Sequence, residues 1–171
     1  EFRRVAYTQL ETLGDKILEE TLEQVRIGNG DQKYWCVRLL TAMGSLAASA
    51  LDLCLSEEDS TLQFMAISAL SELESPSSIL PLVRLFSVGP WSVRQAAFEA
   101  LEGFGEQVLP VLKDQLESTE QDSIYWSIRL LGKLGFKGRK LLLEQFHKAN
   151  QEMKFVVASA LGESGDRKIL S

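Results

Sequence analysis

Val93-Arg94-Gln95-Ala96-Ala97-Phe98-Glu99-Ala100-Leu101-Glu102-Gly103-Phe104-Gly105 is the stretch whose reading decides the fold. Val93, Ala97, Ala100, Leu101 and Phe104 fall at i, i+4, i+7, i+8 and i+11, one apolar stripe along a helix. Gly105 reads as the helix stop, because glycine takes the left-handed conformation at low cost. The stretch is one copy of a recurring pattern. Leu10, Leu40, Leu70, Leu101, Leu131 and Leu161 follow one another at intervals of 30, 30, 31, 30 and 30 residues. Four residues after each comes Gly14, Gly44, Glu74, Gly105, Gly135 or Gly165, and four before each a small or thin side chain: Ala6, Cys36, Ala66, Ala97, Ser127 or Val157. A period near 30 with this internal agreement is the signature of stacked repeats, which present long surfaces more often than they house chemistry.

Each repeat reads as two helices. Past the glycine position, a second helix runs to an apolar landmark eleven residues on: Val25, Leu55, Leu85, Leu116 and Phe146. Pro76 suits a first helical turn, where a missing amide donor costs little. Pro81 lies deeper and is expected to kink its helix. Gly28 to Asp31, Ser56 to Ser60 and Ser118 to Asp122 read as turns between repeats. No segment alternates with period two, so no strand is expected.

Composition narrows the functional classes. The chain has 171 residues, 45% hydrophobic and 25% charged, with a net charge of −6. That charge opposes the basic footprint selected by phosphate backbones, so no nucleic-acid partner is expected. No apolar run reaches the length that spans a membrane. The chain opens on Glu1 without a charged-then-apolar leader, and it ends six residues past Gly165. It therefore reads as one repeat domain over residues 1–171, cut from a longer solenoid, and a cytoplasmic setting is expected. Cys36 and Cys54 are expected to be reduced packing residues, since two cysteines do not make a disulfide framework.

The Val93–Gly105 stretch resembles the first-helix motif of HEAT-like repeats, and most closely the short subclass named after phycobilisome lyases. Gln63 to Leu73 and Lys154 to Gly165 match more loosely. The resemblance covers essentially the whole chain. It implies an all-α fold, a right-handed superhelix of five antiparallel helix pairs plus one opening helix. Bacterial scaffolds and adaptors, chromophore lyases, hydroxylases and nucleic-acid enzymes all resemble this unit, so the fold alone does not assign a role.

A shift of 91 residues aligns Tyr34-Trp35-Cys36-Val37-Arg38-Leu39-Leu40 with Tyr125-Trp126-Ser127-Ile128-Arg129-Leu130-Leu131. The same shift sets Phe64, Ser68, Ala69 and Leu70 on Phe155, Ser159, Ala160 and Leu161. The simplest origin is duplication of a three-repeat block. On a wheel of about 100° per residue, the core stripe covers Cys36, Leu39, Leu40 and Met43, with Val37 on its shoulder. Tyr34 and Arg38 then lie near the opposite pole, and Trp35 lies to one side. The resemblance implies that this opposite face lines the inner, concave surface of the superhelix. The candidate binding residues on it are Tyr34, Trp35, Arg38, Phe64, Met65, Gln95, Tyr125, Trp126, Arg129 and Phe155, joined by Trp91 at the turn after Gly89-Pro90. Tyr, Trp and Arg are the types enriched at binding hot spots. Two readings stay open for Trp35 and Trp126, filler between neighbouring helices or binding anchors, and two for Arg38 and Arg129, binding anchors or ion-pair partners of carboxylates on adjacent repeats. Trp91 likewise either caps its turn or extends the aromatic row. Stacked layers would set the two Tyr-Trp-Arg clusters about 25–30 Å apart, a span suited to a partner helix or extended peptide.

Chemistry has little support. His147 is the one histidine and has no second histidine or cysteine to join it at a metal. Iron-dependent hydroxylases of similar repeats use paired His-Glu motifs, which this chain lacks. Gly132-Lys133-Leu134-Gly135 is a helix end, not a phosphate cradle. The reading is a non-catalytic scaffold without cofactor, binding a protein or peptide partner with basic surface along its aromatic and Arg face. The alternative from the family resemblance is a bilin lyase, in which aromatics and arginines would grip a conjugated ring bearing propionates.

Overall fold

The computed structural model describes residues 2–164, and every regular element among them is helical. The fold class is the expected one, all-α and built of repeated helix pairs. The chain divides into two compact units, Glu1–Ser75 and Pro76–Ser171. In the first unit lie α1 (Phe2–Ile27), α2 (Gly30–Ala42), α3 (Ala48–Leu55) and α4 (Ser60–Leu73). In the second lie α5 (Ile79–Val88), α6 (Trp91–Gly103), α7 (Leu109–Gln115), α8 (Gln121–Lys133), α9 (Gly135–Lys148) and α10 (Gln151–Glu163). The helices α2, α4, α6, α8 and α10 open successive repeats and carry the repeated leucine. Short 3-10 turns, Gly44–Ala47, Pro76–Ser78 and Gly105–Val108, lead into α3, α5 and α7.

Local chemistry sets the helix ends. Gly44, Gly105 and Gly135 adopt φ of 67°, 55° and 62°, and Glu74 takes the same role at φ 47°. Gly14 departs from the pattern, since α1 runs through it unbroken. A mid-helix glycine costs only about 1 kcal/mol, and the Lys, Leu and Glu residues that follow favour helix. Of the remaining landmark positions, Gly165 and the side chains of Ala6 and Leu10 lie outside those described. Pro81 likewise does not interrupt α5. It falls in the first turn, whose amides have no intrahelical acceptor. Asn29 and Gln32 cap α2 reciprocally, with N···O distances of 3.0 and 2.8 Å. Asp59 caps α4 through the amides of Thr61 and Leu62, and its second oxygen accepts from Lys33 Nζ at 2.7 Å.

The core follows the repeat. Leu40, Leu70, Leu101 and Leu131 have no exposed surface, nor do Ala66, Ala97 and Ser127 four residues before the last three, nor Val157 before the half-buried Leu161. The small residue lets a neighbouring helix come close. Gly132 does the same for α10, because a Cβ there would sit 2.9 Å from the Ala160 carbonyl oxygen. In the first unit α2 packs against α1, α3 and α4; in the second α8 packs against α5, α6, α7, α9 and α10. Ion pairs join neighbouring repeats at several places, among them Arg26–Glu57, Arg94–Asp122 and Glu117–Lys148. Three predicted core positions differ. Leu39 is 45% exposed and Cys36 and Met43 are half-buried, because the buried edge of α2 runs through Val37 and Leu40 instead. Cys54 is buried, and burial pushes its thiol up to about 11.

Leu70→Ala and Leu101→Ala should each cost about 2–5 kcal/mol in urea unfolding, whereas Leu39→Ala should cost well under that. The hydrogen bond from Lys33, followed by that from the Leu62 amide, holds the Asp59 carboxyl below its ordinary value. A depressed carboxyl pKa contributes stability above the unfolded-state value, and that contribution is lost as pH falls through the folded one. Asp59→Ala should therefore cost about 1 kcal/mol at neutral pH. Thermal melts of the two proteins should converge as the buffer is taken into the acid range.

Candidate functional site

Two grooves gather most of the candidate residues, one within each unit. The first lies between α2 and α4, with a volume of about 380 Å³, and is lined by Tyr34, Val37, Arg38, Thr41, Phe64, Met65, Ser68, Ala69 and Glu72. The second lies along α8 and α10, about 470 Å³, and is lined by Trp91, Tyr125, Arg129, Phe155, Val156, Ser159, Ala160 and Glu163. Seven positions correspond under the 91-residue shift: Tyr34 with Tyr125, Arg38 with Arg129, Phe64 with Phe155, Met65 with Val156, Ser68 with Ser159, Ala69 with Ala160, and Glu72 with Glu163. The same construction thus occurs twice in one chain. Helical spacing produces it: residues at i, i+4, i+8 on α4 or α10 share a face with the partner positions i and i+4 on α2 or α8.

The walls are aromatic and open. Tyr34 and Phe64 are 44% and 39% exposed, while Phe155 is 76% exposed. The first groove contains the Arg38–Glu72 pair at 3.6 Å, both side chains more than half exposed. Such a pair contributes little to stability. In the second groove Glu163 pairs instead with Lys133, at 3.2 Å. Arg129 lies over three rings, 5.0 Å from the Trp126 centroid, 5.2 Å from Phe98 and 5.8 Å from Tyr125.

Trp126 requires a correction. It is 1% exposed, so its ring is core and not an anchor. Phe86 stacks on it at 5.9 Å, Phe98 and Trp91 lie tilted against it at 5.8 and 6.2 Å, and Tyr125 meets it edge-on at 5.8 Å. Trp35, its counterpart in the duplication, is 69% exposed and touches Tyr34 edge-on at 5.4 Å. Trp35 stands outside the first groove, as does Gln95 outside the second, where it donates to Glu99 at 2.8 Å. Trp91 opens α6 and extends the aromatic row into the second groove. The groove carboxylates were absent from the candidate set, although Glu72 and Glu163 lie 91 residues apart and the shift alone pairs them.

Residues 47–124 match the family model described as HEAT repeats. No curated protein matches the chain. Among solved structures, the chain is similar to an engineered protein at 18% identity, over 86% of this chain and 78% of that one, with a TM-score of 0.42. It is also similar to a designed armadillo repeat protein in complex with a (KR)4 peptide, at 15% identity, over 86% and 82% of the two chains, with a TM-score of 0.47. The matched stretch runs from the start of α3 to the start of α8.

The two tryptophans should separate on mutation. Trp126→Ala removes a buried ring from a four-partner cluster and should cost about 3–5 kcal/mol. Trp35→Ala removes an exposed ring and should stay within about 0.5 kcal/mol. Equal losses in chemical denaturation would contradict the assignment of Trp126 to the core and Trp35 to the surface.

Proposed function

We propose that this chain is a non-catalytic protein-binding module that takes segments of a partner into its two grooves. One observation carries the reading. Tyr, Arg, Phe, Ser, Ala and Glu recur at matching positions of two separate grooves, 91 residues apart. Packing supports Trp126 but gives no reason for Phe64 and Phe155 to stand open beside a tyrosine and an arginine. Aromatic walls with an arginine on the floor combine apolar area with directional donors, the composition of binding hot spots. The net charge of −6 favours approach by a partner with basic surface. Long-range charge sets the encounter rate, whereas Glu72 and Glu163 inside the grooves already have cations beside them. The two free cysteines fit a reducing compartment, which supports a cytoplasmic setting. The bilin-lyase alternative is the weaker reading, because it requires convergence on one ring and an acid–base residue, and the grooves offer repetition instead.

Selection from a random peptide library tests the proposal. Wild type should enrich a related set of sequences with micromolar to millimolar affinity. Phe64→Ala with Phe155→Ala should retain the melting temperature within a few degrees and lose at least about tenfold in affinity for them. Enrichment of peptides indifferent to both substitutions would refute the groove assignment.

A further inference from the structure

The duplicated grooves differ in one charge relationship. In the first, Arg38 has Glu72 of its own groove beside it at 3.6 Å. The matching residues of the second are Arg129 and Glu163, but Lys133 holds Glu163 at 3.2 Å. Lys133 occupies the position that is Ala42 in the first copy, and alanine has no charge to offer. Arg129 is thereby left with no carboxylate partner among the described residues. Glu99, on the neighbouring α6, receives the Gln95 amide instead. The rings of Trp126, Phe98 and Tyr125 hold the Arg129 guanidinium in place, 5.0 to 5.8 Å from their centroids. Ring faces attract the cation without accepting its N–H groups along their fork, so those donors stay free for an oxygen pair. The result is a fixed planar cation in a groove with an open aromatic wall.

We infer that the second groove captures a carboxylate of an extended peptide segment on Arg129, with the adjoining aromatic residue of that segment against Phe155. This deepens the protein-binding reading and rests on it. One monoanion matches the charge available, since Lys133 and Glu163 cancel and Arg129 alone remains. A phosphate dianion would sit beside the Glu163 carboxylate with only half its charge met. Carboxylate and guanidinium also fit each other in a bidentate manner, which fixes direction as well as affinity. The first groove, neutral within itself, has no such requirement. Lys133 is thus a specificity-determining residue that acts by drawing Glu163 away.

Two blocked nonapeptides of one sequence test this, identical except that one carries glutamate and the other glutamine next to a central phenylalanine. Titration of the full chain is followed by NMR at the Arg129 Nε–H and the Trp91 indole N–H. The glutamate peptide should bind about tenfold more tightly than the glutamine peptide and should move the Arg129 signal saturably. Lys133→Ala leaves Arg129 on its rings but releases Glu163 to it, and should erase most of that preference. Ala42→Lys should draw Glu72 from Arg38 and give the first groove a glutamate preference it lacked. Equal affinity for the two peptides, with both still weakened by Phe155→Ala, would overturn the carboxylate site while leaving the groove reading intact. Binding of neither peptide would also overturn it, and the library selection judges the groove reading independently.

Discussion

A single 30-residue helix pair cannot bury its own apolar face, and everything else in this protein follows from that constraint. Each opening helix must be closed over by its neighbours along one stripe, which is why Leu40, Leu70, Leu101 and Leu131 have no exposed surface. The small residue four positions earlier is the geometric condition for that closure, since helices approach closely only where side chains are thin. Once the stripe is committed to the core, the opposite pole of the helix is committed to solvent. Tyr34, Phe64 and Phe155 are exposed because Leu40, Leu70 and Val157 are not. The exposed face proposed for binding is therefore a consequence of packing, and only its residue types are open to choice.

Duplication copied the residue types more faithfully than their environments. Trp35 and Trp126 occupy the same place in the repeat, yet one is largely exposed and the other is enclosed by Phe86, Trp91 and Phe98. Enclosure has a functional consequence. The buried Trp126 ring becomes part of the support beneath Arg129, which fixes a cation that would otherwise wander. The exchange of Ala42 for Lys133 works in the same direction by occupying Glu163. A small number of differences thus turn two copies of one groove into two grooves of unlike charge.

The period, the helix pairs and the leucine core were legible because they are properties of spacing, which a sequence states directly. Gly14 was misleading because a glycine only permits a stop; the residues around it decide whether the helix continues. Leu39 and Leu130 carry a further lesson. Both are leucines at one position of the repeat, but Leu130 is fully buried and Leu39 is 45% exposed. A helical wheel gives the direction of a side chain and says nothing of what stands in front of it. The aromatic candidates were likewise found by phase, and pairing of Arg38 with a carboxylate of the adjacent repeat was one of its open readings; that the partner is Glu72, and that Glu163 goes to Lys133, depends on where long side chains come to rest.

Groove size bears on how such a protein binds. Volumes of about 380 and 470 Å³ take one or two side chains each, whereas a standard stable interface engages about 20–30 residues a side. A single groove therefore gives weak, quickly reversible attachment. On the proposed reading the two sites differ in what they accept, an apolar segment in the first groove and an acidic-aromatic one in the second. Selectivity then rests on the residue types of each modest site, and repetition of a small helical unit supplies such sites readily.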